Sequence, residues 1–313
     1  MGESKIAIIA ALLGNLSIAV VKFIAAYITG SSAMVSEAIH SMVDSGNQIL
    51  LLVGLGKSKK PPDLEHPYGH GREVYFWSFV VAVAIFAVGG GVSIYEGIRH
   101  MLAPVPIEDP FWNYVVLGVA FVFEGISWVF GWRVFRKRLG RQGPIQAIRR
   151  SKDPTTFMVV FEDSAALVGL VIAFLGVFIG HSLRNPYLDG TASLLIGVML
   201  ATMATFLAYE TKGLLIGEGY DRETLSELHK IIGSDPSIEH INAVLTVFIG
   251  PEEVMLTVEA KFRDRLTTPE IRAGIERIKK KVTAQYSEIK RIYFASENWS
   301  EFDGTLPDHA EGE

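Results

Sequence analysis

The stretch SSAMVSEAIHSMVDSGNQILLLVGL, residues 31–55, decides the fold and points to the function. It is long and apolar enough to form a helix across a bilayer, which takes about 20 residues. Within it, His40 and Asp44 lie four residues apart, so their side chains share one face of the helix. Ionisable groups at such depth cost on the order of a few kcal/mol each and usually mark an ion pathway. The stretch therefore predicts a transmembrane helix that binds a cation.

The composition of the 313-residue chain predicts a membrane part followed by a soluble part. Its residues are 49% hydrophobic and its mean hydropathy is +0.30, which is too apolar for an ordinary soluble chain. Charged residues are sparse before about residue 215 and dense after it. The net charge of −5 gives no electrostatic footprint for nucleic acid. The chain has no cysteine, which excludes disulfides, thiolate metal sites and thiol catalysis.

Residues 1–216 are predicted to form a transmembrane domain of six helices. The apolar spans are Ile6–Thr29, Ser31–Leu55, Val74–Ile98, Phe111–Gly131, Thr156–Gly180 and Tyr187–Tyr209. Lysine and arginine cluster in the links between spans two and three and between spans four and five. The positive-inside rule then places both termini and both links in the cytoplasm. We expect a multi-pass membrane protein, in the plasma (inner) membrane if the cell is prokaryotic.

Residues 217–299 are predicted to form a small cytoplasmic α+β domain, and residues 300–313 a disordered acidic tail. The order of elements in this domain is α-β-β-α-β. The segments are a helix from Asp221 to about Ile232, strands His240–Ile249 and Val254–Arg263, a helix from Thr267 to about Tyr286, and a strand Ile289–Ala295. The fold class is thus an α-helical membrane protein with a small α+β domain.

Four ionisable side chains are predicted to share a layer near the centre of the membrane. At about 1.5 Å per helical residue, His40 lies about 13 Å deep, Asp163 about 18 Å, and Asp44 and Glu124 about 20 Å. Nitrogen and oxygen ligands on three helices suit a tetrahedral divalent ion, with Zn²⁺ the first choice. Glu162 adjoins Asp163 but points about 100° away, so it either faces another helix or substitutes as a ligand. The alternative is a set of unrelated polar groups that pair helices.

Three further polar residues in the spans have less specific predictions. Lys22 lies near the outer end of span one, where we expect it to snorkel to the surface in a structural role. Glu37 is either an outer vestibule group or part of a polar helix end. Asn47 is predicted to form a hydrogen bond to a neighbouring helix or to support a ligand.

The link between spans two and three carries a second candidate metal site, Asp63-x-x-His66-x-x-x-His70. An aspartate and two imidazoles within eight residues can fold onto one divalent ion. An exposed loop that merely carries histidines would have the same spacing.

Several motifs together resemble the cation diffusion facilitator family. They are SEAIHSMVD (36–44), HPYGHG (66–71), YEGI (95–98) and DGTASLLIG (189–197). SKDPTT (151–156) and FEDSAA (161–166) resemble its zinc transporter nine-like branch. The likeness extends over about residues 5–298 and includes the six-span plan with its α+β domain.

This resemblance implies a transporter and not an enzyme. It implies a homodimeric divalent-cation/proton antiporter in the lipid bilayer that exports Zn²⁺ from the cytoplasm by alternating access, with Mn²⁺, Fe²⁺, Co²⁺ or Cd²⁺ as other candidate cargo. No cofactor beyond the transported ion is implied. The resemblance assigns the central site to His40, Asp44 and Asp163, and the loop site to Asp63, His66 and His70.

The chain departs from the family pattern in two places. Zinc members usually carry a further ligand, commonly histidine, one turn before the span-five aspartate, where this chain has Val159. The fourth ligand is then absent, or is Glu124, Glu162 or water. In the soluble domain His229 and His240 are interpreted as surface residues, and we expect dimerisation without a well-formed metal pair.

Two rival functions are also compatible with parts of the pattern. Glu37-x-x-His40 and His66-x-x-x-His70 superficially resemble the ligand boxes of a membrane di-iron oxidase, although only three of the eight histidines would belong to its core. A metal sensor or non-transporting scaffold is the second rival, because the span-five motif is weakened.

Overall fold

The computed structural model describes residues 2–105, 109–139 and 154–295, which fall into two compact units divided between Ile216 and Gly217. The predicted acidic tail, residues 300–313, lies outside the described residues.

The first unit consists of long helices. They are α1 (Gly2–Thr29), α2 (Ser32–Ser58), α3 (Glu73–Ala84), a π-helical turn (Ile85–Gly90), α4 (Gly91–Leu102), α5 (Phe111–Leu139), α6 (Pro154–Ser182) and α7 (Tyr187–Ile216). The segments from Glu73 to Leu102 form one continuous rod, so the described part of this unit holds six rods.

Four of these rods are long and apolar enough to cross a membrane: Glu73–Leu102, Phe111–Arg133, Phe157–Ser182 and Tyr187–Ile216. The apolar part of α1 among the described side chains is Asn15–Thr29, which is shorter. The helix α2 has 27 residues, or about 40 Å at 1.5 Å per residue. The predicted helical membrane domain is confirmed, and several helices continue beyond the predicted apolar spans.

A tight hairpin joins α1 to α2 and sets how these helices face each other. Gly30 has φ +68°, a conformation that glycine adopts without strain and that ends α1. Ser31 then caps α2, since its hydroxyl accepts a hydrogen bond from the Met34 amide at 3.2 Å. Asp189, at the start of α7, accepts bonds from the Ser31 hydroxyl and the Ser32 amide, both at 2.5 Å. The N-terminal end of α2 is therefore fastened to α7.

Glycines let α4 and α7 pack backbone against backbone. A Cβ atom added at Gly97 would lie 2.5 Å from the Leu194 nitrogen, and one at Gly197 would lie 2.6 Å from the Ile94 nitrogen. Only glycine permits this approach, so α7 forms a close pair with the rod that contains α4.

The second unit is a three-stranded sheet with two helices: α8 (Arg222–Gly233), β1 (Ile238–Gly250), β2 (Glu253–Phe262), α9 (Thr268–Gln285) and β3 (Ile289–Ala295). The strands lie in the order β1-β2-β3. The β1–β2 pair is antiparallel and the β2–β3 pair is parallel, with α9 as the crossover. The predicted α+β fold, including its order of elements, is confirmed.

The predicted caps account for where these two helices begin. Asp221 accepts a hydrogen bond from the Thr224 amide at 2.8 Å at the start of α8. Glu270 reaches back to the Thr267 amide at 2.7 Å at the start of α9. The apolar faces of the helices bury Leu228, Ile232, Ile278 and Val282, with α8 packed against β1 and α9 against β3.

Candidate metal site

The helix α2 brings His40 and Asp44 together inside the membrane unit. The Nδ1 atom of His40 lies 3.3 Å from Oδ1 of Asp44, and the His40 side chain is 1% exposed. Neither ring nitrogen of His40 has a hydrogen-bond partner among the described residues, and neither does Oδ1 of Asp44. Buried polar atoms are nearly always paired, so these unpaired ligand atoms are the sort of group that a bound cation would satisfy.

The adjacent acidic residues on α6 face different helices. Asp163 accepts a hydrogen bond at 3.0 Å from the Ser127 hydroxyl of α5. Glu162 accepts one at 2.6 Å from the Asn47 amide of α2, and this contact is buried. Of the two roles left open for Glu162, the structure has it facing a neighbouring helix. Asn47 forms the predicted hydrogen bond between helices.

Four carboxylates of the membrane unit form what is called here the acidic layer: Asp44, Glu124, Glu162 and Asp163. Asp44 lies within electrostatic range of the other three, and Asp163 within range of Glu124. Together with His40 they offer the oxygen and nitrogen ligands that Zn²⁺ and similar divalent ions take.

The ligand atoms of His40 and the acidic layer do not all lie close enough together to bind one ion. Throughout the described ranges, only the loop cluster has three candidate ligand atoms that all lie within 4.8 Å of one another. His40 and Asp44 are thus paired, while Asp163, held by Ser127, stands outside such a group. Val159, one turn before Asp163, offers no ligand atom. A single ion bound to all three would draw α2 and α6 together locally.

Lys22 does not snorkel to the surface, so that prediction is wrong. Its side chain is 0% exposed, and its ammonium nitrogen lies 3.1 Å from Oε2 of Glu37. It also donates a hydrogen bond at 2.7 Å to the Ser41 hydroxyl. Glu37 is likewise 0% exposed, so it belongs to the interior and not to an outer vestibule. The α1–α2 hairpin causes the difference, because it faces Lys22 toward the polar stripe of α2 and not toward lipid.

The loop between α2 and α3 gathers Asp63, His66 and His70. Oδ2 of Asp63 lies 2.9 Å from Nε2 of His70, and Oδ1 lies 3.4 Å from Nδ1 of His66. The two imidazole rings are 4.2 Å apart. Oδ1 of Asp63 also accepts the His66 amide at 2.7 Å, which folds the loop back on itself. The spacing that predicted a metal-binding cluster therefore does bring its three residues together.

The charge state of the loop cluster also suits a cation. The hydrogen bond with the His70 ring, and then that from the His66 amide, lower the pKa of Asp63 to about 2. The aspartate therefore stays ionised throughout the physiological range and is ready to bind a metal.

The described part of the second unit contains no comparable cluster. His229 and His240 are both exposed, and Ala295 ends β3 without a ligand atom.

Sequence reasoning missed two features of the site. The Lys22–Glu37 pair could have been predicted from the sequence, because these opposite charges occur at similar depth on two helices joined by a tight turn. The Ser127–Asp163 hydrogen bond could not have been predicted, since serine is common in helices and its partner depends on how α5 is rotated.

A multi-pass bundle that holds unpaired ligand atoms at its centre defines a class of integral membrane protein that handles cations. Residues 8–216 match the model of the cation efflux transmembrane domain. The proton-coupled zinc antiporter SLC30A9, mitochondrial, of Mus musculus is 34% identical over 269 residues, which are 85% of this chain and 47% of that protein. Metal tolerance protein C4 of Arabidopsis thaliana is 31% identical over 266 residues, 84% of this chain and 58% of the relative. The manganese efflux system protein MneP of Bacillus subtilis (strain 168) is 24% identical over 295 residues, 92% and 93% of the two chains.

The chain belongs to the cation efflux family, also called the cation diffusion facilitator family, whose members are membrane transporters and not enzymes. The predicted resemblance is confirmed, including the likeness to the zinc transporter nine-like branch. The chain spans about half the length of the SLC30A9 relatives that it matches. Family membership also sets aside the membrane di-iron oxidase.

Proposed function

We propose that this protein is a divalent metal cation/proton antiporter that exports Zn²⁺ from the cytoplasm by alternating access. The observation that carries the proposal is the buried His40–Asp44 pair, whose ligand atoms are unpaired and lie within electrostatic range of the other carboxylates of the acidic layer. A buried imidazole next to several carboxylates is costly without a cation, and Zn²⁺ takes both kinds of ligand. The printed names of the relatives add support, because one is a proton-coupled zinc antiporter and another a manganese efflux protein.

His40, Asp44 and Asp163 are the proposed ligands of the transported ion, with Glu124 or Glu162 as candidates for the position that Val159 leaves open. Glu124 is the better candidate, since the amide of Asn47 already occupies one oxygen of Glu162. Asp63, His66 and His70 are proposed to hold a second ion in the loop.

Proton coupling follows from the chemistry of these ligands. Histidine binds a metal only when neutral and carboxylates only when ionised, so metal binding releases protons. Histidine is also the side chain whose ordinary pKa, about 6.5, lies nearest to physiological pH. A site that opens to a more acidic exterior is protonated and releases its ion, and the protonated site then returns inward. The cycle exchanges one metal ion for protons.

The distribution of basic residues supports an orientation with both termini and the loop cluster in the cytoplasm. In that orientation the loop cluster would meet the ion before the central site does. The second unit is proposed to pair two copies of the chain, without a metal of its own. In a prokaryotic cell the protein would lie in the plasma (inner) membrane.

Zinc flux into everted vesicles tests the proposal. With an acidic lumen, vesicles that contain the protein should accumulate Zn²⁺, and Asp44→Ala or Asp163→Ala should abolish the uptake. Asp264→Ala is a matched control, because Asp264 is an exposed aspartate in the turn that follows β2, and its vesicles should behave as wild type. Undiminished uptake in both site variants would contradict the proposed site. Absence of pH-driven uptake by the wild type would favour the sensor or scaffold function.

A further inference from the structure

Lys22 is a buried cation that the proposed transport cycle does not use. Among the side chains that the structure describes, it is the only lysine or arginine that is buried. A lone ammonium in a membrane interior is costly, and its persistence there usually reflects a specific partner or a function.

The partners of Lys22 place its charge beside the proposed metal ligands. Its nitrogen contacts Glu37 at 3.1 Å and Ser41 at 2.7 Å. Ser41 directly follows His40 in α2, and Glu37 precedes His40 by three residues, on the same face of the helix. His40, Asp44 and Glu124 lie within electrostatic range of Lys22, as does its ion-pair partner Glu37.

Glu37 contacts Lys22 through only one of its two carboxylate oxygens. Oε2 of Glu37 faces Lys22, whereas Oε1 has no hydrogen-bond partner among the described residues. Gly169 of α6 makes room for this second oxygen, because a Cβ atom there would overlap it. The ammonium is thus held between one oxygen of Glu37 and the hydroxyl of Ser41, the residue that follows His40.

We propose that Lys22 sets the metal affinity of the transport site: it is a built-in cation that offsets part of the negative charge of the acidic layer and so weakens the binding of every divalent ion by a similar factor. The proposal rests on the transport site proposed above. Four carboxylates and an imidazole would otherwise hold a divalent ion too tightly to release it in each cycle. A fixed positive charge repels all divalent ions alike, whatever their preferred ligand geometry.

A purely structural role makes a different prediction. If the Lys22–Glu37 pair only holds α1 against α2, its removal lowers stability and leaves metal affinity unchanged or weaker. If Lys22 acts through its charge, its removal makes metal binding tighter.

The experiment compares metal affinities of the full chain in lipid nanodiscs, in a background in which Asp63→Ala removes the loop site. Dissociation constants for Zn²⁺, Cd²⁺ and Co²⁺ are measured by competition with chelating dyes, and thermal unfolding is recorded in parallel. Lys22→Met should lower all three constants by at least about tenfold, and by similar factors. Lys22→Arg, which keeps the charge, should leave them within about threefold of the parent.

Variants of Glu37 keep the test valid if Lys22→Met does not fold. Glu37→Gln frees the full charge of Lys22 and should raise the three constants. Adding Lys22→Met to Glu37→Gln removes both charges and should bring the constants back toward the parent. A lack of tightening on removal of Lys22 in both backgrounds, or factors that differ widely among the metals, would overturn the proposal.

Asp44→Ala separates this proposal from the proposed function. If the parent binds no metal, or if Asp44→Ala leaves its metal binding unchanged, the proposed transport site is wrong. The proposed role of Lys22 is then overturned as well. If Asp44→Ala abolishes binding but the Lys22 variants match the parent, the site stands and only the role of Lys22 is overturned.

Discussion

Replacing Gly97 with alanine should disrupt the contact between α4 and α7. The added Cβ would lie 2.5 Å from the Leu194 nitrogen and 2.9 Å from the Gly190 oxygen. Both are backbone atoms, so neither can rotate away as a side chain would. Since comfortable carbon contacts begin near 3.5 Å, the helices would have to separate by about 1 Å. Forced overpacking of this kind costs about 1–3 kcal/mol.

The consequence should extend to the candidate metal site. The helix α7 carries Asp189, which fastens the N-terminal end of α2 through Ser31 and Ser32. A displaced α7 would disturb that attachment, and α2 supplies His40 and Asp44. We therefore expect Gly97→Ala to lower both the unfolding temperature, by several degrees, and the rate of metal flux.

Thermal unfolding of the purified protein, followed by tryptophan fluorescence, measures the first effect. Gly118→Ala on α5 is the matched control, because a Cβ there would meet no atom within 4 Å. That variant should unfold at the same or a higher temperature, since alanine favours a helix over glycine by about 0.5–1 kcal/mol. If Gly97→Ala is as stable as Gly118→Ala, a Cβ at position 97 does not disrupt the contact between α4 and α7.

Three other predictions concern the second unit, the loop and the central site. Although burial raises the pKa of Asp235, its hydrogen bonds with Arg277 outweigh that effect and help to lower the pKa to about 2. The resulting stabilisation is complete above the unfolded-state value of about 4 and is lost as the pH falls to about 2. Arg277→Leu should therefore reduce the unfolding free energy of an isolated fragment, residues 217–295, by about 1–2 kcal/mol at pH 7 and far less at pH 2, as measured by urea denaturation. Asp63→Asn removes the only charged ligand of the loop cluster and should weaken its Zn²⁺ binding at least about tenfold in calorimetric titrations; unchanged binding would mean that the loop holds no ion. Val159→His adds a ligand atom one turn before Asp163 and should tighten Zn²⁺ binding by about tenfold or more, as measured in dye-competition assays. Unchanged Zn²⁺ affinity would mean that position 159 lies outside the coordination sphere.

The elements of this protein could be predicted closely where local rules determine them. The helix α8 begins after Asp221 and α9 after Thr267, because capping side chains satisfy the first amides of a helix whatever surrounds it. The strand β3 runs over Ile289–Ala295 as predicted, since it is a β-prone segment that follows a clear helix end. The membrane helices followed from the length of their apolar spans.

The partners of the charged residues could not be predicted in the same way. Spacing placed His40 and Asp44 on one face because both belong to a single helix. Lys22, Glu162 and Asp163 depend on how α1, α5 and α6 rotate against α2, and hydrophobic spans with little periodicity leave that rotation open. The sequence therefore identified the ionisable groups of the spans but not which oxygen meets which donor.

The π-helical turn at Ile85–Gly90 has a similar origin. The glycines there lower the cost of a locally wider turn, but its position depends on the fit of Gly90 against Ala201 of α7, which is 3.1 Å from a Cβ at that point. Such a contact depends on both helices and cannot be predicted from the sequence of either one alone.

Anomalous diffraction at the zinc absorption edge, from a crystal of the protein grown with Zn²⁺, would locate the transported ion directly. We expect a peak in the membrane unit at about 2.0–2.2 Å from a ring nitrogen of His40 and from carboxylate oxygens of Asp44 and Asp163, with Glu124, Glu162 or water in the remaining position. A map with zinc at the loop cluster alone, or elsewhere in the bundle and away from His40, would contradict it.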